Sequence, residues 1–282
     1  MQGAVYLNTT VSCPVNPVWK TRFKTYAFAD DISEELRNAF LDAEGLLAQS
    51  ELIKNSRSTT AGIFVVNDQR FFIKRSNVGR LSERIRRIGR MPRSVRNMRM
   101  AGELEKLGIY TPKVYMALAT GAWFLPAASY LITEYIPGSM TFRDNLSEII
   151  ASPLQWQDAV QQLSAIVLKM HDNGIEHGDL KLCNLMAVRQ IDGTFRFGVF
   201  DLDGCVKHSS ACSDRVRARE LSRVVSSSWL SWPQKDPALP RPEVVSLARQ
   251  WCDAYSQCGG KNYYTDANFR KKLADFLPDV HF

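Results

Sequence analysis

Asp179 and Asp201 lie 22 residues apart in the stretch IEHGDLKLCNLMAVRQIDGTFRFGVFDLD, with Lys181 and Asn184 between them. A carboxylate within hydrogen-bond reach of a hydroxyl can act as its general base. Carboxylate and carboxamide oxygens suit a hard cation such as Mg²⁺, which keeps several waters and needs few protein ligands. These are the requirements of phosphoryl transfer, a reaction governed by positioning and charge neutralisation. Asp179 is the candidate base, and Asn184 and Asp201 are the candidate metal ligands.

The elements around these residues are predicted to hold them in place. Leu185 to Val188 reads as a short apolar strand. Phe195, Phe197 and Val199 alternate with Arg196, Gly198 and Phe200 as a second strand. Asp192-Gly193 between them predicts a type I′ turn, which needs φ > 0 at both central residues. Upstream, Ser152-Pro153-Leu154-Gln155 starts a long helix whose apolar stripe runs from Ala159 to Met170 and stops at Asn173-Gly174. Later helices are predicted over 215–230, 242–258 and 266–277.

The first half of the chain reads mainly as strands. Residues 1 to about 30 show no strong period, and 33–50 predict one helix. Ile63, Val65 and Phe71-Phe72-Ile73 flank an Asn67-Asp68 turn, and Lys74 ends the second strand of that hairpin. A lysine there is either a surface residue of an edge strand or a group that reaches phosphates. A helix over 93–107 stops at Gly108. Strands follow at 113–119 and 129–135, around a Thr120-Gly121 turn. Glu134-Tyr135-Ile136-Pro137-Gly138 then reads as a hinge between lobes. The uncharged span 114–133 is too interrupted by Gly121, Pro126 and Ser129 to be a membrane helix, which needs about 20 predominantly apolar residues.

The chain has 282 residues and a net charge of +7, with 45% apolar and 23% charged residues, as in an ordinary globular protein. The charge is local. Residues 70–99 hold eleven basic residues against Glu83, a net of +10, so the remainder sums to −3. Such a block suits an anionic acceptor or an anionic membrane surface. The same charge would attract nucleic acid, which is not an expected partner. Six scattered cysteines without a C-x-x-C pair imply reduced thiols and a cytosolic location. His171 and His208 read as surface residues, and His177 as support for its loop.

His177-Gly178-Asp179-Leu180-Lys181-x-x-Asn184 resembles the catalytic loop of protein-kinase-like folds, and Asp201-Leu202-Asp203 their metal-binding D-F-G element. More closely, the chain is similar to the lipopolysaccharide core kinases, which phosphorylate heptose or Kdo sugars. The likeness spans about residues 55–230. It is carried by those motifs, by Phe71-Phe72-Ile73-Lys74-Arg75, by Arg96-Asn97 with Gly108-Ile109-Tyr110-Thr111-Pro112, by Leu131-Ile132-Thr133-Glu134-Tyr135 and by Arg219-Glu220-Leu221-Ser222-Arg223. The resemblance implies an α+β, two-lobed protein-kinase-like fold. It would comprise an extension with one helix (1–50), a strand-rich N-lobe that clamps the nucleotide (51–136) and a mainly helical C-lobe (137–282). It implies ATP and Mg²⁺, with Lys74 on the α/β-phosphates, Lys181 on the transferred phosphoryl group and the Glu134–Ile136 backbone at the adenine edge. The acceptor would be the lipopolysaccharide core or its lipid-linked precursor. The location would be cytoplasmic and peripheral to the inner membrane, with the 70–99 block facing that surface. No oligomeric state is implied.

Three features depart from the kinase-like pattern. No G-x-G-x-x-G is present; Arg57-Ser58-Thr59-Thr60-Ala61-Gly62 stands there, so hydroxyls such as those of Ser58 and Thr59, with backbone N–H groups, must cover the phosphates. Asn97 occupies the place where a glutamate pairs with the strand lysine. Either that pairing is weak, or Glu103 serves, or Lys74 is held otherwise. No A-P-E follows Asp201, which argues against a protein substrate. The competing readings are an aminoglycoside- or choline-type phosphotransferase, a serine/threonine protein kinase, and a non-catalytic scaffold that keeps the fold.

Overall fold

The computed structural model describes residues 19–20, 24–77, 91–122, 125–138, 140–233 and 240–279. The chain divides into two compact units, Met1–Glu103 with Pro112–Ile136, and Leu104–Thr111 with Pro137–Phe282.

The first unit is built on an antiparallel seven-stranded sheet. Its strands are β1 (Trp19–Lys20), β2 (Lys24–Phe28), β3 (Glu51–Asn55), β4 (Thr59–Val66), β5 (Gln69–Asn77), β6 (Val114–Ala122) and β7 (Leu125–Glu134). Their spatial order is β1-β2-β6-β7-β5-β4-β3. β2 adds a strand where the sequence shows no strong period: it is short and takes its place by pairing Lys24 to Phe28 with Thr120 to Met116. The helix predicted over 33–50 is two, α1 (Glu34–Phe40) and α2 (Ala43–Ala48). Asp42 breaks the run by accepting the Gly45 N–H, starting a new helix. Phe40 packs edge-on to Phe71 at 5.0 Å between ring centres, and Phe64 stacks on Phe71 at 5.5 Å. This aromatic cluster holds α1 on one face of the sheet.

Asn67-Asp68 is a turn, as the sequence predicts, whereas Asp192-Gly193 and Thr120-Gly121 differ from the sequence reading. Asn67 and Asp68 both have positive φ, at 52° and 58°, and join the paired residues Val66 and Gln69. That is the type I′ pattern, without glycine. At the second hairpin only Gly193 is left-handed, at φ 85°. There the Gly193 N–H bonds to Gln190 O, and Gln190 N–H to Thr194 O, in a three-residue loop. Thr194 N–H and Oγ1 both bond to Asp192 Oδ1, so the aspartate side chain organises this loop. Thr120-Gly121 is not a turn. It is a register shift within the β6–β7 ladder, which continues to the Ala122–Leu125 pair. The uncharged span is thus two strands, and among the described residues no helix is long and apolar enough to cross a membrane.

Helix α3 (Arg93–Lys106) ends in a Schellman motif. Ile109 N–H bonds to Leu104 O, Gly108 N–H bonds to Glu105 O, and Gly108 has φ 65°. The second unit contains α4 (Leu146–Ile150), α5 (Pro153–Asp172), α6 (Asp214–Ser231), α7 (Val244–Gln257) and α8 (Ala267–Phe276). It also holds the short strands β8 (Ile175–Glu176) and β11 (Val206–Lys207), and the hairpin β9 (Leu185–Arg189) and β10 (Phe195–Val199). Helix α5 begins as predicted, with Ser152 Oγ accepting the Gln155 N–H and Pro153 in the first turn. Of its stripe, Ala159, Val160, Leu163, Val167 and Met170 are buried and Ile166 is half-buried.

Backbone proximity sets two glycines apart. A Cβ at Gly198 would lie 2.2 Å from Tyr110 O, whereas one at Gly102, inside α3, meets nothing within 4 Å. Gly102→Ala should therefore stabilise the protein by about 1 kcal/mol, the helix-propensity difference. Gly198→Ala should destabilise it by at least about 1–3 kcal/mol, as overpacking does. Urea midpoints of the two variants, moving in opposite directions from the parent, are the measurement.

Candidate active site

The loop between β8 and β9 carries the catalytic candidates, and α6 positions it. Glu220, Arg223 and Ser227 stand at i, i+3 and i+7 on that helix, so they share one face. Glu220 is buried. Its Oε2 accepts the His177 N–H at 3.2 Å and its Oε1 the Gly178 N–H at 2.5 Å. Arg223 Nη2 lies 2.5 Å from Asp179 Oδ1. Ser227 Oγ accepts the Leu182 N–H at 3.1 Å. One helix face thus holds the loop from His177 to Leu182. Sequence reasoning gave none of these three residues a role in the site, and their shared spacing on a helix was the signal that could have found them.

Within the loop, Asn184 Nδ2 donates to Asp179 O at 2.8 Å and to Asp179 Oδ2 at 3.1 Å. The carboxamide nitrogen is therefore used on Asp179, and its oxygen, which takes only the weak Cys183 S–H at 3.7 Å, is the atom for a cation. Lys181 Nζ is 2.9 Å from Asp179 Oδ2. Asp179, Lys181 and Arg223 side chains are each about a third exposed.

Asp201 follows β10 with φ 58° and ψ 55°, a left-handed conformation unusual for a residue with a Cβ. The backbone just before it is tied to the loop. Phe200 N–H bonds to Asn184 O at 3.1 Å, and His177 Nε2 lies 3.0 Å from Phe200 O. His177 is wholly buried, with a ring contact to the chain beside Asp201. Gly178 is required here: at φ 80°, a Cβ would lie 2.5 Å from Gly204 O. The structure thus joins Asp179, Lys181, Asn184 and the approach to Asp201 through one hydrogen-bonded loop.

His171 is not a surface residue. It is fully buried, with Nε2 3.1 Å from Glu220 Oε2 and Nδ1 2.9 Å from the Tyr255 hydroxyl. Arg217 donates to that hydroxyl at 3.0 Å and pairs with Asp172 at 2.7 Å. The apolar stripe of α5 concealed this, because a polar residue inside the stripe needs partners from α6 and α7. Burial pushes the Tyr255 hydroxyl up to about 12, so it stays protonated. His208 is half-exposed and lies 2.9 Å from Glu176 Oε2.

Other candidates lie in the first unit. Lys74 sits within β5, an interior strand, paired with Ala61 and Leu131. It does not end the strand, which runs on to Asn77. Ser76, on the same face as Lys74, pairs with Ser129, whose Oγ accepts the Ser94 N–H at the start of α3. Helix α3 therefore lies on the Lys74 face, bringing there the helix that carries buried Asn97 and half-buried Glu103. Ser58 and Thr59 lie at the β3–β4 turn. Thr59 N–H already donates to Ser56 Oγ at 3.1 Å, and Asn77 N–H bonds to Ser58 O at 2.9 Å. Glu134 Oε1 accepts the Lys113 N–H at 2.9 Å, and Glu134 N–H bonds to Lys113 O at 2.9 Å. Ile136 is buried just beyond the strand.

Of the 70–99 basic block, Arg80, Arg84, Arg86, Arg87 and Arg90 lie outside the described residues. Arg75 stacks over the Tyr130 ring and faces Glu44 at 3.8 Å, while Arg70 lies over the Tyr135 ring. Cys205, Cys212 and Cys252 are buried free thiols, and burial pushes Cys212 up to about 11 and Cys252 up to about 12.

The antiparallel sheet with its flanking helix, and the helical unit with its loop and hairpin, make this an α+β, protein-kinase-like fold. Residues 46–240 match the lipopolysaccharide kinase (Kdo/WaaP) family, and the chain belongs to that family. It is therefore a phosphotransferase by family. Among solved structures, WaaP in complex with acyl carrier protein is similar at a TM-score of 0.63 and 17% identity, over 90% of this chain and 97% of that one. A glucosamine kinase (crystal form B) is similar at 0.50 and 14%, over 94% and 86%. At these identities the likeness concerns the fold alone. No curated protein matches the chain in sequence.

Glu220 provides a pH test of the loop anchor. Burial alone would push its carboxyl up, but hydrogen bonds from His171 and Gly178 outweigh it and hold the group below the usual glutamate range. A lowered folded-state pKa gives stability that is present above the unfolded value of about 4.3 and is lost as pH falls through the folded one. Glu220→Gln should cost on the order of 2–3 kcal/mol at pH 7, as for hydrogen bonds to a charged group. The gap between variant and parent should narrow below about pH 4. Denaturant midpoints measured from pH 7 to pH 3 give the comparison.

Proposed function

We propose that this chain transfers the γ-phosphoryl group of ATP to a sugar hydroxyl, of heptose or Kdo, in the lipopolysaccharide core or its lipid-linked precursor. Membership of the lipopolysaccharide kinase family supports the reaction class. The observation that carries the site reading is the Asn184 carboxamide. Its nitrogen is bound to Asp179, which leaves an oxygen for a cation beside a partly exposed carboxylate.

In this reading Asp179 accepts the proton of the acceptor hydroxyl as its oxygen bonds to the γ-phosphorus. The bond from that phosphorus to the bridging oxygen breaks, and ADP leaves with the electron pair. Asn184 and Asp201 form an all-oxygen donor pair without thiolate or imidazole, which fits Mg²⁺. Among the described residues no group of three His, Cys, Asp or Glu is placed to hold a metal, so nucleotide phosphates and water would complete the sphere. Bound there, Mg²⁺ would neutralise phosphate charge. Lys181 meets the transferred group and Lys74 the α/β-phosphates. Ser58 and Thr59 act on the phosphates through their hydroxyls, since the Thr59 N–H is already used. The Glu134–Ile136 backbone takes the adenine edge, and Glu103 on α3 serves Lys74. Residues 51–136 supply the nucleotide clamp, 137–282 the catalytic loop and acceptor side, and 1–50 an extension. The enzyme works at the cytoplasmic face of the inner membrane, drawn there by the 70–99 basic block.

Asp179→Ala should lower turnover by about 10²–10⁴-fold, the usual worth of a positioned base. Asp201→Ala should abolish turnover with ATP and Mg²⁺ while the circular dichroism spectrum is unchanged. Wild-type turnover in purified Asp201→Ala would refute the site assignment. Core oligosaccharide from cells lacking the protein should be lighter by about 80 Da, one phosphoryl group per transfer.

A further inference from the structure

We propose that Arg223 is the acceptor-binding residue of this site, and that it selects a sugar carrying an anionic group, carboxylate or phosphate, near the reacting hydroxyl. This rests on the reading of Asp179 as the base. The argument begins with how that carboxylate is shared. An ionised carboxylate offers roughly four lone-pair sites. Oδ2 accepts the Asn184 Nδ2–H and also faces the Lys181 ammonium, whereas Oδ1 faces Arg223 alone among the described residues. The remaining capacity is on Oδ1. An acceptor hydroxyl that donates to Asp179 therefore lands on the oxygen that Arg223 already touches.

The guanidinium is fixed for this task. Phe276, the last residue of α8, presents its ring to Arg223 at 5.4 Å from the ring centre. An aromatic face holds a guanidinium without using its N–H donors. Among the described residues Asp179 is the single anionic partner of Arg223, reached through one nitrogen. A planar fork of N–H groups matches carboxylate and phosphate oxygens, and most of this fork is unused. Charge points the same way. At Asp179 two cations, Lys181 and Arg223, meet one carboxylate, all three partly exposed, and with Lys181 given to the transferred phosphoryl group Arg223 is the cation left for the acceptor. Phe276 also lies beyond residues 46–240, so this device draws on a part of the chain outside the family match.

The test uses the full chain with ATP and Mg²⁺ on two acceptor pairs. One is a Kdo-terminated lipid and its carboxyl methyl ester; the other is a heptose-terminated lipid with and without a sugar phosphate. The wild type should prefer the charged member of one pair, and which pair identifies the anion. Arg223→Ala should raise KM for that acceptor by about 10- to 100-fold, as for a lost charge-assisted hydrogen bond. It should erase the preference, with KM for ATP unchanged, and Arg223→Lys should recover part of it. An equal fall in kcat on charged and neutral acceptors would make Arg223 a positioning residue for Asp179 and overturn the proposal. So would a raised KM for ATP. The wild type alone is decisive if the alanine variant does not fold: phosphorylation of both members of each pair with equal kcat/KM sinks this inference and spares the functional reading. Phosphorylation of neither pair sinks both.

Discussion

The buried carboxylate of Glu220 is the interaction on which the catalytic loop depends. It accepts two backbone N–H groups at the start of that loop and faces His171 from the other side. Buried N–H groups without partners are costly, so the loop's conformation is tied to this side chain. A buried carboxylate is itself unfavourable unless its hydrogen bonds are complete. Here they are completed from α5 through His171, which is in turn held by Tyr255 from α7. The loop's conformation is therefore specified by one polar network to which three helices contribute. A network of this kind is worth having only when all its members are satisfied.

That anchoring explains how a polar loop can present charged groups in a defined arrangement. Glu220, Arg223 and Ser227 meet successive parts of the loop, so the rotation of α6 sets where Asp179 lies. The left-handed backbone at Asp201 is held by its neighbours, with Phe200 fastened to Asn184 O and to the His177 ring. Strained backbone persists where the surroundings over-determine it, and such positions cluster at functional sites.

Much of the chain was legible from local pattern. The capped helix from Pro153, the apolar hairpin after Asn184 and the Gly108 helix stop each depend on short-range rules, and the structure has all three. The errors have a common origin in partners that the local pattern does not show. The Asp192-Gly193 dipeptide suggested a turn with two left-handed residues, but the Asp192 side chain bonds Thr194 and needs only Gly193 to be left-handed. Asp42 divided a helix that periodicity made continuous. Lys74 looked like the end of a strand because no local signal reveals that β7 pairs alongside it.

The sequence by itself determined the chemistry on offer: the spacing of Asp179, Asn184 and Asp201, the helix that feeds their loop, and the strand pattern around Lys74. These follow from residue type and from periods of two and 3.6, which act over a few residues. Only the tertiary structure decided which groups those residues face. Asp179 is shared among Lys181, Asn184 and Arg223, and His171 is buried against Glu220. The partners stand between two and 49 positions apart in the chain. Hydrogen bonds over such separations are set by how helices pack, and packing leaves no mark in local sequence beyond the faces it uses.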